Sequence, residues 1–239
     1  MTQTTLLVLA RAVGLFARAP AFSHPSVPPI VRMGLALALA SAVAPAVAPV
    51  RALDLGAFSF ALAGDFLLGA AIGFGASLLY DGAYFAGRMV DDYLGVRGSV
   101  PGANITSAQA FGRLWSYAFL AAFVLLDGWV PIVRAFAGSF DHVAAGGFAE
   151  RAAWLHYAVG LPATIVRAAF VVAAPAIAVA AALQLALAAV ARVMPRFSSF
   201  SLSFPAVFAA ALVVTLSTVA WISRLGAQPW LVLPWELGR

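Results

Sequence analysis

The sequence predicts an all-α, polytopic integral membrane protein built from long helical hairpins of uneven length. Hydrophobic residues make up 64% of the 239 and charged residues 10%, with a mean hydropathy of +0.98. Soluble domains hold about 45–50% apolar and about 25% charged residues, so only lipid or protein partners can cover what a fold of this composition leaves outside. The apolar residues fall in long runs bounded by proline, glycine and polar loops, which is the punctuation of helices. The runs also differ widely in length, which a plain bundle of membrane crossings does not require. The chain has room for about six spans.

Each segment follows in order. The first apolar run covers residues 6–19, too short to span unaided, and contains Arg11. At a bilayer centre that arginine would cost about 2.5–3.5 kcal/mol. A secretory signal needs a positive start and an unbroken apolar stretch; residues 1–5 carry no side-chain charge and Arg11 interrupts the run, so the segment is expected to stay in the mature protein. After Pro20 and a loop ending in Pro28-Pro29, residues 30–50 form a second run, with Pro45 and Pro49 breaking its far end. Residues 57–94 read as one helix, almost twice the roughly 20 residues a bilayer core needs. Its Gly69-x-x-x-Gly73 pair with Ala76 offers a small-residue face for close helix contact. A glycine-rich loop, residues 95–107, separates it from a helix over 108–137, interrupted at Asp127-Gly128 and Pro131. A polar connector (138–152), a long run (153–193) with Pro162, Arg167 and Pro175, and a last helix (197–223) complete the chain.

Charge and motif content exclude most other classes. The net charge of +5 comes from fourteen basic residues, all arginine, against nine acids. The arginines stand singly between apolar runs, without a basic patch or aromatic platform, so no nucleic-acid partner is expected and helix-end positions at the headgroups are. With no cysteine, disulfides, thiolate metal sites and cysteine nucleophiles are excluded. Hydrolase elbow, zincin, Walker and dinucleotide motifs are absent. Asp91-Asp92 lacks the further aspartate of a DDxxD motif, since Gly95 stands there, and Asp127-Gly128 lacks the arginine of a CDP-alcohol transferase motif, since Ile132 stands there. His24, His142 and His156 have no partner at metal spacing. No catalytic activity, metal or cofactor is expected. A secondary transporter of unknown substrate is the alternative, but neither an intramembrane ionisable pair nor a repeat is visible.

On the long helix, Asp81, Arg88 and Asp92 fall within about 40° of one another at 100° per residue, a polar stripe facing a conduit, a neighbouring subunit or water. Asp65 lies about 160° from Asp81, so the two cannot pair on a straight helix.

Several blocks together resemble one family. The opening reads Arg11-x-x-Gly14-Leu15-Phe16-x-x-x-Pro20-x-Phe22, then Val27-Pro28 and Val31-Arg32-x-Gly34. Later blocks are Leu68-Gly69-x-x-x-Gly73-Phe74 with Gly87 and Gly95, Asp127-Gly128 with Ser139-Phe140, and Ala174-Pro175 followed by Arg192-x-x-Pro195-x-x-x-x-Phe200-x-x-x-x-Pro205. In order and spacing these are similar to the FliR/SctT (SpaR/YscT-like) family, export-gate subunits of flagellar and virulence type III secretion systems. The loop after the long helix differs from the usual family pattern, which carries a glutamine before its glycine and an Asp-Pro pair beyond.

The resemblance implies a non-enzymatic subunit like a fusion of two smaller gate proteins, P-like over about 1–150 and Q-like over about 151–239. Implied partners are P-type (FliP/SctR) and Q-type (FliQ/SctS) subunits, FlhB/SctU-like and FlhA/SctV-like subunits, unfolded export substrates and lipid, in the bacterial inner membrane at the base of a flagellum or injectisome. By position, the pore-plugging loop would be Gly95, Val96, Arg97, Gly98, Ser99, Val100, Pro101, Gly102, Ala103 and Asn104. Asp65, Gly69, Gly73, Asp81, Arg88, Asp92, Arg192 and Pro195 are the implied subunit-interface residues. The opening block reads closer to the flagellar form.

Overall fold

A computed structural model describes residues 2–23, 27–94, 111–147, 152–193 and 200–223. All of its regular structure is helical: α1 (Gln3–Arg18), α2 (Pro29–Val43), α3 (Leu55–Leu94), α4 (Phe111–Leu125), α5 (Trp129–His142), α6 (Ala152–Val193) and α7 (Phe200–Ser223), with one 3-10 turn at Ala44–Ala46. Among the described residues three helical stretches are long and apolar enough to cross a membrane: Pro29–Ala46, Leu55–Leu78 and Ala173–Val190. Counting the interrupted pair α4 and α5 as one span gives a fourth. The chain is therefore an all-α polytopic membrane protein.

Local chemistry sets the helix ends. The Thr2 side chain accepts from the Thr5 N–H and caps α1, which stops before Pro20. Pro28 and Pro29 open α2, where a missing N–H costs nothing, and the helix tightens into the 3-10 turn at Pro45. The Asp54 carboxylate accepts from the N–H groups of Gly56 and Ala57, at 3.2 and 3.4 Å, so α3 starts two residues before the sequence pattern suggested. Between α4 and α5 the break lies at Asp127-Gly128, where Asp127 has φ 51° and the Gly128 N–H donates to the Phe123 carbonyl at 2.8 Å. Pro131 does not break the chain, since it lies in the first turn of α5, where no intrahelical N–H is needed. The connector expected from residue 138 begins later, because α5 runs on to His142. Likewise α6 continues through Pro162 and Pro175. Helix-breaking residues are tolerated in membrane-type helices because leaving the helix exposes still more backbone polarity.

Two compact units emerge. Unit 1 comprises Met1–Leu78, Phe123–Pro162 and Ala227–Arg239. In its described part, α1 packs on α2 and buries Leu7, Val8, Ala12 and Leu15. Leu7, Ala61 and Ala145 form the centre of a cluster with Val50, Leu53, Phe58 and Phe140 around it. The extended stretch after the 3-10 turn hangs on the first turn of α1: the Gln3 amide exchanges bonds with the Leu53 backbone at 3.0 and 3.1 Å, and the Thr4 hydroxyl accepts from the Val50 N–H at 3.0 Å.

Unit 2 comprises Leu79–Ala122 and Ala163–Gly226. Trp115 and Phe119 of α4 are buried, and the Phe111 ring meets Phe208 of α7 at a centroid separation of 4.9 Å. In the same unit α6 buries the small side chains of Ala169, Ala173, Ala176 and Ala180.

Candidate functional site

The most polar buried place in unit 1 is built on Arg11, in the middle of α1. Its side chain is fully buried, as is that of Asp65, the sole charged residue of the Leu55–Leu78 stretch. They meet because α1 and α3 approach to backbone contact: a Cβ on Gly69 would collide with the Arg11 carbonyl, one on Gly14 with the Phe66 carbonyl, and one on Gly73 would come within 2.5 Å of the Leu15 carbonyl oxygen. Only glycine allows so close an approach.

All the donors of the guanidinium find acceptors. Arg11 Nε donates to Asp65 Oδ1 at 2.8 Å and Nη2 donates to the same oxygen. Nη1 donates to the Ser139 hydroxyl at 2.9 Å and to the Val143 carbonyl at 3.1 Å; Nη2 reaches the Val143 and Ala144 carbonyls at 3.1 and 3.3 Å. The Phe140 ring lies 4.0 Å from the guanidinium carbon, in cation–π contact. The second Asp65 oxygen accepts from the Gly146 N–H at 2.8 Å, in a turn where Gly146 has φ +77°. The cation therefore sits at the carbonyl end of α5, where helix polarity favours positive charge. Burial pulls the Arg11 pKa down and Asp65 holds it up; arginine starts so high that the group keeps its proton. This clasp ties α1, α3 and the end of α5 together.

A second fixed point lies in unit 2. Asp91, near the end of α3, is buried and accepts from the N–H groups of Phe111 and Gly112 at 2.8 and 3.1 Å. A carboxylate on the first N–H groups of α4 meets the positive end of the helix. Gly87 and Gly112 make this crossing close, since a Cβ on Gly87 would collide with Gly112.

The residues singled out from sequence divide accordingly. Asp65, Gly69 and Gly73 make their contacts here with α1 of the same chain. Asp81 and Arg88 are half-buried and Asp92 is exposed, so the stripe on α3 runs from partly covered to open. Arg192 is exposed in the last turn of α6. Pro195 and the stretch 95–104 lie outside the described residues. The sequence reading passed over two residues that the structure makes central. Arg11 was legible as a cation that needs an anion, and Asp65 is the first acid within an apolar run that follows it; the bonds Asp91 accepts left no signal, because they come from backbone groups twenty and twenty-one residues away.

Three of the blocks that carried the sequence resemblance meet at the clasp. Arg11 contacts Ser139 and Phe140, Gly69 lies against the Arg11 backbone and Gly73 against that of Leu15. The chain matches bacterial export proteins, family 1, over residues 2–229. It belongs to that family, the FliR/SctT export proteins. No curated protein matches the chain. As a FliR/SctT family member with membrane-length helices, it is a membrane component of a bacterial export apparatus.

Proposed function

We propose that this chain is a non-enzymatic subunit of the type III protein export gate. With P-type and Q-type subunits it forms a channel for unfolded flagellar or effector proteins across the bacterial inner membrane. The family match over nearly the whole chain carries the reading. Two structural features support it. Arg11, Asp65 and Ser139 of unit 1 are spent on internal ties between helices. Large apolar surface remains open on α2, α6 and α7, including Ile30, Val159, Leu185 and Val213, as expected of a subunit surrounded by lipid and protein. The nearness of the opening block to the flagellar form favours flagellar use.

In this reading residues 95–104 form the movable plug, with Gly95, Gly98 and Gly102 permitting close approach and Val96 and Val100 filling the constriction. The test is co-expression of the tagged chain with its P-type and Q-type neighbours. A stable complex should form and complement a strain lacking this subunit for secretion. Deleting residues 96–102 should leave the complex intact and make the membrane leaky to small dyes. A well-behaved monomer that ignores both neighbours would overturn the subunit reading; a tight membrane around an assembled deletion complex would overturn the plug.

A further inference from the structure

In unit 2, two arginines come together on one side of the α3–α4 hairpin. The helices touch where a Cβ on Gly87 would lie 2.4 Å from the Gly112 Cα. They run antiparallel there, since Asp91 accepts from Phe111 while the earlier Tyr80 shares a side-chain hydrogen bond with the later Ser116. Arg88 and Arg113 each follow one of the touching glycines. One residue is a turn of about 100°, and on antiparallel helices equal turns lead to the same side of a crossing. The two arginines therefore stand at one level on one face. By the same count Tyr84 and Tyr117 form the next layer of that face. Asp81 and Asp92 lie on it further out, about 10 Å and about 6 Å from Arg88 along α3.

The face is open and its cations are unspoken for. Tyr117 is 56% exposed, Arg113 and Asp92 are exposed, and Asp81, Tyr84 and Arg88 are half-buried. Among the described residues neither guanidinium meets a carboxylate or a carbonyl oxygen, whereas Arg11, Arg18 and Arg32 are engaged. Asp91 stands three residues from Arg88 but is buried in the crossing, on the N–H groups of Phe111 and Gly112. Acyl chains cannot solvate four charged side chains on one face. Lipid phosphates suit arginine, but two aspartates bracket this pair and repel them. The order along the face is acid, two arginines, acid. A helix with the opposite order matches it, with a carboxylate at the centre and basic residues seven positions to one side and four to the other. Those intervals share one helix face, and charge order of this kind selects a partner.

We propose that this face of the α3–α4 hairpin docks a helix of another polypeptide, which places a carboxylate between Arg88 and Arg113 and basic side chains against Asp81 and Asp92. Guanidinium forks receive both oxygens of a carboxylate. Tyr84 and Tyr117 frame the contact, and tyrosine and arginine are the residues that anchor protein interfaces. The inference rests on the subunit reading and adds to it the chemistry of the partner.

A photoreactive benzophenone side chain in place of Tyr117, in the full chain co-expressed with its neighbours in native membranes, is the probe. It should capture one protein in the absence of export substrate, at a helix with an acid between basic residues at those spacings. Arg88→Glu together with Arg113→Glu should lower the yield of complex at least about tenfold, because like charges then face each other. The unfolding temperature of the purified chain should not change, since both side chains are free of internal partners. Exchanging the captured acid for arginine should restore the complex of the reversed chain, which a merely structural role would not allow. A wild-type chain that joins no complex overturns the subunit reading itself. Normal assembly with both arginines reversed overturns the docking face and leaves that reading standing. Capture of lipid, or of export substrate alone, or a reversed chain that the exchanged acid does not rescue, also overturns it.

Discussion

Leu55–Leu78 of α3 and Ala173–Val190 of α6 are both apolar enough to cross a membrane, yet they treat charge in opposite ways. The α3 stretch is 39% buried and carries Asp65 near its middle. The α6 stretch is 17% buried and carries no charge, with arginines only beyond its ends. The difference follows from what surrounds each helix. Around Asp65, the protein supplies Arg11 and the Gly146 N–H, and around Arg11 it supplies a hydroxyl and two carbonyls. A charge in a low-dielectric place persists only when its partners are fixed in advance. On α6, charge is kept beyond the ends of the apolar stretch.

The sharpest way to break this contrast is to strand one member of the clasp. Asp65→Ala leaves a guanidinium buried without its anion and should cost about 3–5 kcal/mol. Arg11→Met together with Asp65→Leu removes both charges at similar volume and should recover most of that loss. Thermal unfolding in detergent, with limited proteolysis of α1 as a second probe, measures the double-mutant cycle. Single variants no worse than the double would show that the pair is not coupled.

The counterpart on α6 tests the other half. Leu185→Arg puts an unpartnered charge into the apolar run and should cost about 2.5–3.5 kcal/mol of membrane insertion, read as loss of the membrane-inserted fraction on expression. The same substitution at Val193, in the last turn, should be nearly silent. Equal effects at the two positions would mean that depth does not matter and that the run does not lie in lipid.

The helices themselves were legible because their ends use short-range chemistry: Pro20, Pro28-Pro29 and Asp127-Gly128 mark boundaries within a residue or two of where they fall. Internal prolines misled at Pro131, because a proline in a first turn has no hydrogen bond to break, and position within the helix decides. The clasp was legible only in part. Sequence periodicity on α3 shows that Asp65 faces away from Asp81, but it cannot say that α1 comes to lie against that face. That placement depends on Gly14, Gly69 and Gly73, which read as generic small residues until the backbones are seen to touch. Backbone acceptors at Val143 and Ala144 carry no side-chain signature, so half of the Arg11 shell has no trace in the sequence.

Glycine substitutions sharpen the comparison at intermediate size. Gly69→Ala forces a methyl group against the Arg11 backbone, which cannot move aside without separating α1 from α3, so a loss of about 1–3 kcal/mol is expected. Gly34→Ala on α2 meets nothing within 4 Å and should instead stabilise by up to about 1 kcal/mol through helix propensity. Opposite signs in one thermal-unfolding series would separate close approach from propensity. A destabilising Gly34→Ala would show that α2 packs against something not yet seen.

The smallest expected effect belongs to Asp91, and its size follows from the geometry. Like Asp65 it is a buried carboxylate, and it accepts from the backbone N–H groups of Phe111 and Gly112. Removing it strands those two dipoles at the start of α4. Replacing a helix cap by alanine costs about 0.5–2 kcal/mol, so Asp91→Ala should fall well short of Asp65→Ala. Asp91→Asn keeps one carbonyl oxygen for one of the two N–H groups, and loses the other acceptor together with the charge on the helix end, the charge being worth about 0.3–1 kcal/mol. Hydrogen exchange at the first turn of α4 is the direct measurement. Asp91→Ala should speed exchange there and leave α1 protected, whereas Asp65→Ala should expose α1 and leave the first turn of α4 unchanged. If either substitution loosened both places equally, the two anchors would form a single cooperative unit, and the contrast between a charge held by charge and a charge held by backbone would carry no energetic meaning.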